Sequence, residues 1–239
     1  MRIDALLVRL GKGSRTQIQS MLRAGRVTLG GNVIKSPKQQ VDTPCVDILT
    51  VDGEAINTCV ERTIVLNKPQ GYITANEDRT HETVMELLPK EYKSLECMPI
   101  GRLDKDTTGV LLFTTNGELA HRLISPKYHV EKVYVATVDT PFLESDIEAF
   151  AQGIVLKDFT ALPAKLEIMD AYRGKITLHE GKYHQIKRML QRLGHQTLTL
   201  HRERFGTITL DGLSEGQMRE LTKEETTALL HAAGYMINE

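Results

Sequence analysis

No regular βα repeat runs through this 239-residue chain; its apolar segments change length and period irregularly. That pattern points away from a doubly wound parallel sheet and toward an α+β sheet core. Past the turn signal Asp52-Gly53-Glu54, the first strand is expected at Thr63-Ile64-Val65-Leu66. Val110 to Thr114 reads as a buried strand, Glu118 to Ile124 as a helix halted before Pro126, and Val130 to Thr137 as a strand. Glu144 to Gln152 is an expected helix. Strands follow near 164–169 and 174–179, then a helix at about 183–193 closed by Gly194. Two more strands are expected near 196–202 and 206–210, and Thr222 with Glu225 caps a final helix.

The N-terminal part reads as a separate α-then-β unit. A boundary in the region 53–60 gives domains over residues 1–57 and 58–239. Ile3, Leu6, Leu7 and Leu10 recur at helical spacing, and Gly11-Lys12-Gly13 stops that helix. Ser14 and Gln17 form a capping box for a second helix ending near Gly25. Arg26 to Leu29 and Asn32 to Ile34 read as short strands around a Gly30-Gly31 turn, and Val46 to Val51 as another strand. Charge concentrates here. Residues 1–40 hold eight Lys/Arg against one Asp, a balance of +7, so with a whole-chain charge of −1 the remainder carries −8. A basic front end on a mildly acidic body fits a polyanion-facing module; a solvated helix face gives the same pattern. Arg2, Arg9, Arg15, Arg23 and Arg26 are the candidates to meet phosphates.

Composition narrows the classes further. The apolar share of 41% supports a packed core. Cys45, Cys59 and Cys97 show no C-x-x-C spacing, so neither a zinc site nor a redox pair is indicated, and reduced thiols in a cytoplasmic protein are expected. The N-terminus has no apolar signal core, and no run approaches the ~18–20 apolar residues of a membrane span. There is no G-x-G-x-x-G, P-loop or H-E-x-x-H, and the eight histidines lack a ligand spacing. Neither cofactor nor metal is expected. Tryptophan is absent and aromatics make up 5%, so any base stacking must rest on a few specific rings.

The stretch from Gly101 to Gly109, with Arg102, Asp104, Lys105 and Asp106 inside it, leads straight into Val110-Leu111-Leu112-Phe113-Thr114. A glycine-bounded loop on a buried strand presents its side chains from a rigid support. Taken alone, Asp104 and Asp106 are equally natural turn formers.

Four segments, in order, resemble the RsuA family of ribosomal RNA pseudouridine synthases, most closely its small-subunit (16S rRNA) type. They are Leu66-Asn67-Lys68-Pro69-Gln70-Gly71-Tyr72, the loop at 101–109, Glu131-Lys132-Val133-Tyr134, and Glu180 to Met189 with Leu200 to Gly206. The N-terminal unit resembles the S-four-like RNA-binding module, with Ala5 where that module usually carries a lysine. The resemblance implies an S-four-like module joined to a mixed, largely antiparallel β-sheet catalytic domain flanked by helices. It places the essential aspartate at Asp104, the active-site tyrosine at Tyr134, an apolar contact to uracil at Ile186 and a basic partner of the aspartate at Lys187. It implies ribosomal RNA or a ribosomal assembly intermediate as partner, a monomer, no membrane, and no cofactor. The relatives acting on 23S rRNA share the same motifs, so 16S and 23S targets both stay open.

Pseudouridine formation breaks the bond from ribose to a ring nitrogen, turns the base, and attaches a ring carbon instead. No redox change occurs and no atom is added overall. One ionised carboxylate acting as nucleophile or base meets the chemistry, and a neighbouring cation such as Lys187 favours its ionised form. The target uridine must leave its stack at a cost of a few kcal/mol. Tyr134 and Ile186 suit the two faces of the extruded base. Arg102, Lys182, Arg188, Arg202 and Arg204 are candidates to grip phosphates near the cleft. A catalytically silent RNA-binding assembly factor would not need Asp104, Tyr134 and Lys187 together. A carboxylate-dependent glycosidase would need a second placed carboxyl.

Overall fold

A computed structural model of the chain describes residues 1–44 and 47–235. It divides into two compact units, Met1–Arg62 with Leu88–Cys97, and Thr63–Leu87 with Met98–Glu239. Among the described residues no helix is long and apolar enough to cross a membrane.

The first unit opens with α1 (Ile3–Arg9) and α2 (Arg15–Arg23), followed by β1 (Val27–Leu29), β2 (Asn32–Val33), β3 (Leu49–Val51) and β4 (Glu54–Ala55). The strands form an antiparallel sheet in the order β2-β1-β3-β4. The helical stripe Ile3, Leu6, Leu7 and Leu10 is buried together with Ile18, Leu22, Val27 and Leu49, which is what a 3.6-residue period facing a sheet requires. The Ser14–Gln17 capping box starts α2. The short helix α3 (Lys90–Ser94) belongs to this unit, and Leu95 after it is buried in the same core. The expected strand at Val46 to Val51 is confined to Leu49–Val51; Val46, like Cys45, lies outside the described residues.

The second unit holds β5 (Thr63–Lys68), β6 (Met98–Ile100), β7 (Thr107–Thr114), α4 (Gly117–Ile124), β8 (Lys132–Val138), α5 (Glu144–Gln152), β9 (Lys165–Asp170), β10 (Arg173–Leu178), α6 (Gln185–Arg192), β11 (Thr197–Phe205), β12 (Met218–Glu220) and α7 (Lys223–Ala232). The sheet runs β12-β5-β7-β11-β8-β10-β9, with β6 paired to β7. Every pair is antiparallel except β7 with β11. This is the α+β core expected from the irregular element order, and the largely antiparallel sheet that the resemblance implies.

Two local expectations are corrected. No strand occupies 206–210: Phe205 and Ile208 exchange backbone hydrogen bonds at 3.0 Å each way, and Gly206, at φ +58°, turns the chain there. The helix expected from residue 183 begins at Gln185, because His184 sits in the left-handed region at φ 49° and so cannot be its first turn. At the parallel junction, Arg202 pairs with Gly109. A Cβ on Gly109 would lie 2.2 Å from the Arg202 carbonyl oxygen, and its φ is +105°. Only glycine permits this approach, and it sets β11 directly beside the strand that the 101–109 loop feeds.

Candidate active site

A cavity of about 720 Å³ opens in the second unit, lined by the loop before β7, by β8 and β11, and by the segment leading into α6. The loop is held from beneath. Lys68, at the end of β5 and fully buried, donates from Nζ to the carbonyl oxygens of Asp104 at 3.1 Å, Thr107 at 2.9 Å and Pro69 at 3.0 Å. Burial pulls the Lys68 pKa down to about 8, against the opposing fields of Asp106 and Asp104. The Thr74 hydroxyl accepts from Leu103 N at 3.1 Å and donates to Leu103 O at 2.9 Å. Thr107 N closes a turn onto Asp104 O at 3.1 Å. These contacts leave the Asp104 side chain at the cavity surface, 26% exposed.

Lys187, in the first turn of α6, meets that carboxylate. Its Nζ is 3.0 Å from Asp104 Oδ2 and 2.5 Å from Asp106 Oδ1. Burial works against the Lys187 charge, but the hydrogen bonds to Asp106 and Asp104 outweigh it and hold its pKa above the ordinary lysine value. Asp106 likewise pays for burial and is nonetheless held below the usual carboxylate range by Lys187. Asp106 therefore does more than shape the loop: it shares the cation of Asp104. His184 Nε2 lies 3.4 Å from Asp104 Oδ1 on the other side.

The structure brings Asp104, Lys187, Tyr134, Ile186, Arg102, Lys182 and Arg202 to one cavity. Arg202 requires a correction, because it is 2% exposed and is no surface cation waiting for phosphate. Its Nε donates to Val110 O at 2.6 Å and its Nη1 to Tyr134 Oη at 3.3 Å. The guanidinium also lies 5.0 Å from the Phe205 ring centroid. There Arg202 meets a carbonyl, a phenol and a ring face, while its buried Nη2 has no hydrogen-bond partner among the described residues. Arg188 and Arg204 lie off the cavity lining, in ion pairs with Asp158 and with Glu131 (2.7 Å) respectively. In the first unit Arg9, Arg15 and Arg23 are exposed, whereas Arg2 and Arg26 are paired with Asp4 at 2.6 Å and Asp52 at 2.5 Å.

The sequence profile of RNA pseudouridylate synthases matches residues 62–192, more than half of the chain and the whole of the loop, Tyr134 and Lys187. The chain belongs to the RNA pseudouridylate synthase family. The S4 domain profile matches residues 1–46. A ribosomal small subunit pseudouridine synthase A of Yersinia pestis is 41% identical over 96% of this chain and 98% of its own length. The Escherichia coli protein of the same name is 37% identical over 96% and 100%. An uncharacterized RNA pseudouridine synthase of Bacillus subtilis is 40% identical over 94% and 96%. A solved structure of a pseudouridylate synthase superimposes with a TM-score of 0.67 at 34% identity, covering 96% of this chain and 99% of the other.

As a pseudouridylate synthase the protein is an isomerase, and the sequence reading gave no role to three residues of the site: Lys132 and His184, which line the cavity, and Lys68, which supports its loop. Lys132 is buried on β8, its Nζ donating to Val130 O at 3.0 Å, with a pKa lowered to about 8 by burial and by the nearby Arg202. Lys68 ends an apolar strand just before Pro69, and Lys132 opens another at the start of β8. A cation in such a place is the one signal that could have marked them.

Proposed function

We propose that this synthase converts a uridine of small-subunit ribosomal RNA to pseudouridine, acting as a monomer in the cytoplasm on free RNA or an assembly intermediate. The observation that carries the reading is the Asp104 carboxylate, held at 3.0 Å by Lys187 on the wall of a cavity large enough for a nucleoside. The near end-to-end likeness to the Yersinia pestis and Escherichia coli small-subunit enzymes supports the choice of RNA.

In this mechanism the extruded uracil lies between the Tyr134 ring and Ile186, which return part of the unstacking cost. Asp104, paired with Lys187, supplies the nucleophile or base at the ribose. The bond from C1′ to N1 breaks, the uracil turns, C5 bonds to C1′, the proton on C5 leaves to solvent and N1 takes up one from solvent, so the product is an isomer. A glycosidase mechanism would need a protonated partner carboxyl, and Asp106, tied to Lys187 and held below the usual range, is not one.

Release of tritium from C5-labelled uridine tests the proposal, with small-subunit and large-subunit rRNA supplied separately. Release from the small-subunit RNA by the wild-type protein, abolished in Asp104→Asn with RNA binding retained, is the expected result. Release from large-subunit RNA alone would overturn the target. Robust release by Asp104→Asn would overturn the role of the carboxylate.

A further inference from the structure

The rim of the cavity carries an aromatic pair that the mechanism above does not use. Tyr183 and His184 stack face to face, with ring centroids 3.9 Å apart and planes 16° from parallel. Both line the cavity. Tyr183 is 73% exposed, in a chain with five Phe, seven Tyr and no Trp whose rings at Phe113, Phe150 and Phe205 are fully buried. With His184 against one face of the ring, the other face is open to solvent. The pair is not a loose surface feature. His184 holds a left-handed backbone conformation at φ 49° and reaches Asp104 with Nε2 at 3.4 Å. Arg188 Nη1 donates to the Tyr183 carbonyl at 3.5 Å. Lys182, the preceding residue, keeps its ammonium 4.0 Å from the Phe159 ring centroid and 3.8 Å from Glu180 Oε2.

We propose that the open face of Tyr183 is the stacking platform for the nucleotide adjacent to the extruded uridine, making Tyr183 a positioning and specificity-determining residue. The inference rests on the reading that the cavity receives a uridine from RNA. Extruding one base deprives its neighbour of a stacking partner. A rigidly backed aromatic ring at the mouth of the cavity replaces that partner and fixes the register of the strand. The Lys182 ammonium beside it suits the phosphate joining the two nucleotides. Because His184 touches both the platform and Asp104, the neighbouring base and the reacting ribose are set by one contiguous stack.

The test is a cycle on the full-length protein with a small-subunit rRNA fragment containing the modified uridine. Wild type, Tyr183→Phe and Tyr183→Ala are each assayed with an intact substrate and with an abasic nucleotide on the 5′ or the 3′ side. Tyr183→Ala should raise KM by about tenfold, the scale of one base–aromatic stack, with kcat little changed, and Tyr183→Phe should restore it. An abasic nucleotide on one side should raise the wild-type KM by a similar factor yet leave Tyr183→Ala no worse. Fully additive losses on both sides would overturn the platform, as would an equal defect in the Phe and Ala variants. Failure of the underlying reading registers separately, as absence of tritium release by wild type on any rRNA, and it removes the platform with it.

Discussion

Lys187 Nζ lies 3.0 Å from Asp104 Oδ2, although the two residues belong to a loop and a helix far apart in the sequence. The same ammonium also binds Asp106, 81 residues away in sequence. One cation thus serves two carboxylates, and it holds Asp106 below the usual carboxylate range. Lys187→Met should lower kcat on the order of a hundredfold while RNA binding changes little. Asp106→Asn should keep much of the activity, because Lys187 then has Asp104 as its remaining carboxylate. Tritium release measured at saturating RNA checks both, and near-normal turnover by Lys187→Met would sink the assignment.

Tyr134 offers a ring to the cavity and a phenol to Arg202. Tyr134→Phe keeps the ring but removes the acceptor of Arg202 Nη1, leaving that buried guanidinium bonded to Val110 O and facing the rings. A cost of about 1–3 kcal/mol in stability is expected, with RNA affinity retained. Tyr134→Ala should lose affinity as well. Chemical unfolding beside an RNA titration separates the two effects; equal affinity in both variants would exclude Tyr134 as the stacking face.

Gly109→Ala should be among the most damaging single changes in the chain. Its Cβ would meet the Arg202 carbonyl at 2.2 Å, and its φ of +105° is costly for any L side chain. We expect a loss above about 3 kcal/mol, with separation of β7 from β11 and loss of turnover. A variant with unchanged thermal unfolding would contradict the close approach.

Lys132 has a pKa of about 8 in the folded protein, lowered by burial and by Arg202, against 10.5 as its ordinary value. Between those pH values the unfolded chain binds more protons than the folded one, so this group makes stability rise with pH from about 8 to about 10.5. Lys132→Met should flatten that rise by on the order of 2 kcal/mol. Lys68, lowered to about 8 by the same cause, contributes with the same sign, so part of the rise should survive. Urea unfolding at pH 7.5 and pH 10 reads the difference, and an unaltered slope would show that Lys132 is hydrated.

Arg9, Arg15 and Arg23 are exposed on or beside α1 and α2. Replacing all three by Gln should weaken rRNA binding and make the plot of log affinity against log salt shallower by up to about 2, at roughly 0.7 per single-stranded phosphate contact. Arg26→Gln is the control, since Asp52 already neutralises that charge. An unchanged slope in the triple variant would turn this face away from RNA. A chain cut at residue 63 should aggregate unless Leu95 is also made polar, because Leu95 is buried in the core of the first unit.

Local pattern was enough for much of this protein. The stripe from Ile3 to Leu10, the capping boxes at Ser14 and Thr222, the strand Val110 to Thr114 and the helix Glu144 to Gln152 follow from interactions within a few residues, which a sequence displays directly. The family motifs were legible in the same way, since each is built of short contiguous runs, and the cavity lining draws on several of them. What the sequence could not display is which charges leave water. Arg202, Arg188 and Arg204 are alike as letters, yet one is buried against Val110 and Tyr134 and the others pair with Asp158 and Glu131 at the surface. Lys68 reads as one more cation, and only the folding of the Asp104 loop over it turns it into a support for the carbonyls of Asp104, Lys105 and Thr107. The division of the chain shows the same limit: α3 and Leu95 complete the first core from within the sequence of the second unit. Periodicity is a property of neighbours along the chain, whereas desolvation depends on what tertiary packing places around a group, and that decided the chemistry of this site.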